Sequence, residues 1–386
     1  MKTLISTLAF ALAAAPLASC NAAPAQPDSG KPTAQAGFAI EEYGTFDEPW
    51  AMAFVPGTTL LVITERGGTI KFKDTQTGRL GTVTGSPKVD YGGQGGLGDI
   101  AFVQSEAAPT ISRRTIYLSW AEAGSGGTRG AAVGRGTLNC QEADACVIEG
   151  LKVIWRQTPK VTGRGHYSHR LLFSPDGKYL YVASGERQKF TPAQDMSVNL
   201  GKTLRLLPDG TPAPGNPFAA QGGVSAEIWT LGHRNILGLG WDAQGRLWDL
   251  EHGPAGGDEL NLIEPGKNYG WPLVSNGDHY DGKPIPRHAT RPDLVAPAIS
   301  WNPVIAPGDF IFYSGDKFPA WRGQALIAGL GSAGLVRVAI DGSTAREVER
   351  IDLGTRIREV EQGPDGAIWI AEDGEGGRLR KLVPKG

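Results

Sequence analysis

Short apolar runs alternate with tight polar turns along this chain, and one phrase recurs. An apolar strand end runs into a Pro/Asp-Gly turn and then into a period-two run, as in Ala53-Phe54-Val55-Pro56-Gly57 ahead of Leu60 to Ile63. The phrase returns at Phe173-Ser174-Pro175-Asp176-Gly177 before Tyr179 to Ala183, and at Trp241-Asp242-Ala243-Gln244-Gly245 before Leu247 to Leu250. Its last copy is Gly363-Pro364-Asp365-Gly366 before Ala367 to Ala371. Each copy predicts a strand, a turn of the Asp-Gly type and a second strand. No 3.6-residue apolar pattern of useful length accompanies them. A doubly wound fold needs helices between its strands, and a β-sandwich needs fewer residues. Hairpins recurring at irregular spacing over residues 37–386 predict an all-β propeller whose loops differ in length.

The N-terminus changes the picture. Met1-Lys2 precedes an Ala-rich apolar run from Leu4 to Leu17, of signal-peptide length and too short to cross a bilayer permanently. It ends in Leu17-Ala18-Ser19-Cys20, the form of a lipoprotein signal. The expectation is a signal peptide over residues 1–19, a lipid on Cys20, and a flexible Ala/Pro/Gln/Ser-rich tether over residues 20–36. Acyl chains hold a membrane at about 0.8 kcal/mol per methylene. The mature protein is then exported, periplasmic and anchored to a membrane, the outer one. An ordinary signal peptide cut near Ala18 or Ala23 is the alternative. Cys140 and Cys146 lie six apart in a polar stretch without nearby metal-ligand partners, so a small loop disulfide is expected in an oxidising compartment. A net charge of −2 and the lack of any basic run exclude nucleic acid as a partner.

Four segments carry more polar chemistry than plain strands need. Gly92 to Asp99 is glycine-rich, which lets backbone approach a flat ligand, and Gln94 offers both a donor and an acceptor. His166-Tyr167-Ser168-His169-Arg170 contains an imidazole suited to taking a hydroxyl proton, with Glu186 available to orient it. The densest group holds Gly232-His233-Arg234-Asn235, Glu251-His252-Gly253-Pro254, Asp258-Glu259 and Asn268-Tyr269-Gly270-Trp271. There Arg234 can pair with a carboxylate or quinone oxygen, and Asp258, Glu259 and loop carbonyls are hard oxygen ligands suited to Ca²⁺. Last, Arg356 and Arg358 share a face by strand periodicity and invite an anion. Each segment alone also fits a solvated turn, a structural histidine or a charged sheet edge.

Together these segments resemble the soluble PQQ-dependent aldose sugar dehydrogenases, related to the quinoprotein glucose/sorbosone dehydrogenases. The resemblance runs from Pro49-Trp50 to Leu379 and is most specific at Ala226 to Asn235, Glu251 to Asn261 and Gly266 to Pro272. It implies a six-bladed β-propeller of four-stranded antiparallel blades that binds pyrroloquinoline quinone (PQQ) and Ca²⁺ and oxidises the anomeric hydroxyl of an aldose sugar to a lactone. By motif position, His166 would be the catalytic base and Arg234 would polarise the quinone oxygen. Gln94, Asn235 and Tyr280 would hold the cofactor, while Arg356 and Arg358 would pair with its carboxylates. Carbonyls of Gly253 and Pro254 would share the PQQ-bound Ca²⁺, and Glu259 and Tyr269 would hold a second one. The loops around His279-Tyr280-Asp281 and Pro284 to Arg291 would line the substrate mouth. Electrons would leave to an external quinone or redox protein, since the chain has no haem-attachment Cys-x-x-Cys-His.

Two departures from the family pattern stand out. Where relatives carry a lysine reaching the cofactor, this chain has Gly329-Leu330-Gly331-Ser332. Losing one charge-assisted contact costs about 1.5–3 kcal/mol, which predicts weaker PQQ binding. His169 replaces a small residue and is expected either to crowd the substrate or to point into the blade. Two other functions share the fold: a calcium-dependent lactonase-type hydrolase and a non-catalytic carbohydrate-binding propeller.

Overall fold

The computed structural model describes residues 37–385 apart from Ile111, Ala143 and Asp144. The expected signal peptide, Cys20 and tether lie outside the described residues. Among the described residues, helix is confined to short 3-10 turns, and strands make up the remaining regular structure.

All four sequence-predicted hairpins form. Pro49–Phe54 pairs with Leu60–Glu65, Ser168–Phe173 with Leu180–Ser184, Ile236–Trp241 with Leu247–Glu251, and Ile357–Gln362 with Ile368–Glu372, each antiparallel. Three four-stranded sheets step outward in chain order from Ser168–Phe173, Ile236–Trp241 and Pro307–Phe312. A fourth is completed by the first described strand, Phe38–Phe46, which pairs with the last, Gly377–Pro384. The remaining eight strands form one sheet of two antiparallel groups, joined where Leu80–Thr84 runs parallel to Ala145–Arg156. A disulfide links Cys140 to Cys146 across a hairpin in this sheet.

The innermost strands Pro49–Phe54, Leu97–Phe102, Ser168–Phe173, Ile236–Trp241, Pro307–Phe312 and Ile357–Gln362 touch in that order, and the last returns to the first. That closed ring is a β-propeller, which removes the sheet edges an open all-β fold would expose. Apolar cores fill the spaces between neighbouring sheets. Trp248, Leu250 and Leu260, for example, pack against Phe310, Ile327 and Val336 of the following sheet. Full burial of such side chains contributes about 1.5–3 kcal/mol each. Close packing of sheets also explains Gly238: a Cβ there would meet the Phe310 ring at 2.5 Å.

One device repeats at the start of every innermost strand. The register slips between Pro49 and Ala51, Leu97 and Ile100, Ser168 and Leu171, Ile236 and Gly238, Pro307 and Asp309, and Ile357 and Glu359. Such a bulge breaks the in-out alternation and re-aims the side chain it carries. Trp50, His169, Leu237 and Arg358 sit at these bulges, and all four line one central cavity.

Arg170 holds the ring together. It is 4% exposed and donates to Glu359 Oε2 at 2.6 Å, to the Gly308 carbonyl at 2.8 Å and to Asp99 Oδ1 at 3.3 Å. Asp309 lies 3.5 Å away, the Leu237 carbonyl accepts from Nε, and the guanidinium sits 4.4 Å from the Trp50 ring centre. A single side chain thus reaches five other innermost strands.

Candidate active site

His166 precedes the innermost strand Ser168–Phe173 and has φ 49°, with Ser168 and His169 following at 65° and 75°. Non-glycine residues enter this left-handed region rarely and at a cost, which concentrates at functional sites. Gln94 braces the segment by accepting the His166 backbone N–H at 2.6 Å. The His166 ring contacts Glu186 Oε1 through Nδ1, while Glu186 Oε2 accepts the backbone N–H groups of Lys189 and Phe190. Burial pushes the Glu186 carboxyl up, but the His166 contact and the Phe190 N–H outweigh it and hold the group below its ordinary value. An ionised carboxylate only accepts, so Nδ1 carries the proton and Nε2 keeps its lone pair. Burial lowers the His166 pKa; Glu186 works against that and the charge of Arg234 adds to it. The ring is therefore neutral at pH 7, with the Nε2 lone pair free to accept a proton.

A cavity of about 400 Å³ opens beside this pair, lined by His166, Phe190, Arg234, Pro254, Trp271 and Tyr280 among others. Arg234 is 5% exposed; it donates to the His252 carbonyl at 3.1 Å and to Tyr280 Oη at 3.2 Å. Its loop is fixed from behind, because its backbone N–H donates to Glu251 Oε2 at 2.7 Å and His233 Nδ1 lies 3.1 Å from Glu251 Oε1. Phe190 stacks on Trp271 with ring centres 5.7 Å apart, forming an aromatic wall that sequence reasoning missed. Alternating apolar residues could not reveal it, since Phe190 lies in a loop of positive-φ residues. Of the expected mouth loops, His279, Tyr280, Asp281 and Lys283 line this cavity, whereas Pro284 to Arg291 do not. Within that second loop, His288 instead packs inward with Nε2 3.2 Å from the Tyr269 carbonyl.

The inner cavity, of about 220 Å³, is lined by Gln94, Asn235, Arg356 and Arg358 together with the four bulge residues. Arg356 and Arg358 do share a face, and both pair with Asp373, at 2.9 and 2.7 Å. Two guanidiniums on one carboxylate leave a positive charge unmatched there. Tyr280 stands apart from this group: it is 78% exposed and lines the outer cavity with Arg234. Leu330 lines the inner cavity, while Gly331, the position of the missing lysine, is not among its lining residues, and a Cβ on Gly331 would meet the Ile305 carbonyl at 2.9 Å. His169 is absent from the lining of the outer cavity and so does not crowd it; nor is it lost in the blade, because it lines the inner cavity.

Gly253, Pro254, Glu259 and Tyr269, expected at two cation sites, surround one small cavity of about 10 Å³ together with Glu251 and Gly257. That volume suits a single water or ion. Asp258, the other expected oxygen ligand, is used elsewhere: its oxygens accept the backbone N–H groups of Gly253 at 2.8 Å and Ala306 at 2.7 Å.

The family model "Glucose / Sorbosone dehydrogenase" matches residues 46–381. The aldose sugar dehydrogenase YliI of Escherichia coli (strain K12) is 38% identical over 348 residues, covering 88% of this chain and 91% of the relative. The soluble aldose sugar dehydrogenase structure from Escherichia coli in the apo-form superposes with a TM-score of 0.81 at 36% identity, over 90% of this chain and 100% of that one. The PQQ-bound aldose sugar dehydrogenase from Streptomyces coelicolor gives a TM-score of 0.71 at 26% identity, over 91% and 99% of the two chains. The fold, the strained histidine segment and these matches agree: the chain belongs to the glucose/sorbosone dehydrogenase family of oxidoreductases.

Proposed function

We propose that the protein oxidises the anomeric hydroxyl of aldose sugars to lactones with PQQ and Ca²⁺, and passes the electrons to an external acceptor, a quinone or a redox protein. The observation that carries this reading is the pairing of cavities. A histidine of fixed tautomer and an arginine line the outer one, and an arginine pair that shares the single carboxylate of Asp373 lines the inner one.

The residues present fit PQQ, a flat molecule with three carboxylates and an ortho-quinone. The arginine pair carries spare positive charge, and the buried Arg234 Nε, Tyr167 Oη and both His169 nitrogens have no hydrogen-bond partner among the described residues. Asn235, Arg356 and Arg358 would hold the cofactor, with Gln94 beside them and Tyr280 at the outer rim. They fit Ca²⁺ as well, because two carboxylate residues, Glu251 and Glu259, line a cavity of one-ion size together with Gly253, Pro254 and Tyr269, with Arg234 also on its wall. Gly253, Pro254, Glu259 and Tyr269 would be the ligands. When bound, PQQ supplies the two-electron acceptor for the sugar.

The chain's own groups do the rest. His166 Nε2 takes the hydroxyl proton, and ionised Glu186 stabilises the imidazolium that forms. Arg234, held by His252 and Tyr280, offers a fixed donor where negative charge develops. The Phe190–Trp271 wall presents apolar faces to a sugar ring. The six innermost strands are read as the starts of six four-stranded blades, the eight-stranded sheet counting as two. The reading also includes export and lipid attachment at Cys20; the Cys140–Cys146 disulfide supports an oxidising compartment.

Titrating PQQ into the apoprotein with and without Ca²⁺, followed by tryptophan fluorescence, tests the cofactor assignment. Binding that tightens with Ca²⁺ and weakens with chelator is expected; no binding at micromolar PQQ with Ca²⁺ present overturns it. In the same titration Arg358→Ala should raise Kd about 10- to 100-fold, the worth of one charge-assisted contact. An unchanged Kd would remove Arg358 from the binding group.

A further inference from the structure

We infer that His169 is a positioning residue for the bound cofactor, hydrogen-bonding it in the inner cavity through a neutral imidazole. The inference rests on the PQQ reading above.

His169 is 3% exposed and lines that cavity with Gln94, Asn235, Arg356 and Arg358. Both ring nitrogens are buried and have no hydrogen-bond partner among the described residues. Buried polar groups are nearly always paired, so two such atoms on one ring call for an explanation. The surroundings place the ring deliberately. It stacks on Tyr167 with centres 5.2 Å apart and planes 10° from parallel, and it meets Trp50 edge-on at 5.7 Å. Gly98 makes room for it, since a Cβ there would lie 2.7 Å from the His169 Cβ. Ser119 Oγ donates to the His169 carbonyl at 2.7 Å and fixes the backbone, which is held at φ 75°. The residue occupies the bulge of its innermost strand, the position that also sends Trp50, Leu237 and Arg358 to the same cavity.

The ring's charge state matches the role. Burial, then the charges of Arg187 and Arg170, push its pKa down to about 3, so it offers one donor and one acceptor at any working pH. A further cation next to the arginines would repel them; a neutral donor does not. The chain thus keeps a polar contact for the cofactor in a cavity where Leu330 offers none.

The test compares His169→Phe and His169→Asn with the wild-type chain in two measurements: PQQ affinity by fluorescence titration with Ca²⁺ present, and thermal unfolding of each apoprotein. Phenylalanine keeps the ring stack and removes both nitrogens; asparagine keeps a donor and an acceptor. The inference expects at least a tenfold rise in Kd for His169→Phe, partial recovery in His169→Asn, and an apoprotein melting temperature of His169→Phe equal to or above that of the wild type. Wild-type affinity in His169→Phe would overturn it. So would weakened binding accompanied by a lowered apoprotein melting temperature, which marks a merely structural histidine. If the wild-type chain itself binds no PQQ, the functional reading falls first and this inference falls with it.

Discussion

His166→Ala lowers kcat for aldose oxidation by about 10²- to 10⁴-fold, the usual worth of a positioned general base, while PQQ affinity stays close to that of the unaltered chain. The separation follows from geometry. The His166 ring lines the outer cavity, whereas the cofactor group lines the inner one. Glu186→Gln should give a large part of the same loss. An amide whose oxygen faces His166 turns its NH₂ toward the backbone N–H groups of Lys189 and Phe190, donor against donor. The flipped amide aims its NH₂ at Nδ1 and forces the wrong tautomer. The pH profile supplies an independent check. The base works unprotonated, and burial lowers its pKa, so kcat/KM should fall on the acid side through a value below the ordinary 6.5. A full rate in His166→Ala, or an acid limb well above 6.5, would remove His166 from the role.

Arg170→Met should be the most destabilising single substitution in the ring, costing about 3–5 kcal/mol, the range for removing one partner of a buried ion pair. Methionine roughly keeps the volume but leaves Asp99, Asp309 and Glu359 facing one another at the centre. The loss should depend on pH, with a definite sign. Burial raises Glu359 to about 7 against an ordinary 4.5, even with Arg170 opposing that rise. A carboxyl raised in the folded state favours folding below its unfolded pKa and loses that contribution as pH rises through the folded value. Without the guanidinium the folded value climbs further, so the cost should be largest above pH 7 and shrink toward pH 4.5. Urea unfolding at both ends of that window checks it. A change under about 1 kcal/mol throughout would show that the buried charges are balanced without Arg170.

The hairpins were legible because Pro/Asp-Gly turns and period-two runs are local signals, and all four quoted copies appear as paired strands. Ring closure was less so: the pairing of Phe38–Phe46 with Gly377–Pro384 joins segments far apart in the sequence. The contact between His166 and Glu186 was readable, since both are polar residues beside glycines at the open end of one hairpin, just before Ser168–Phe173 and just after Leu180–Ser184. Arg170 was not, because an arginine after two histidines looks like part of the site until five other strands are seen to converge on it. Tyr280 was assigned to the cofactor group by motif alone, and its exposed loop carries it to the outer rim. His169 shows the limit most clearly. Period two would alternate it with Ser168 and Arg170, and only a bulge sends it to the cavity.

The measurement that bears most directly on the central claim is dye-linked oxidation of glucose and other aldoses by the apoprotein, with PQQ and Ca²⁺ supplied separately and together. The proposed chemistry predicts dye reduction only when sugar, PQQ and Ca²⁺ are all present. A folded protein that binds PQQ with Ca²⁺ yet reduces no dye with any aldose would contradict it.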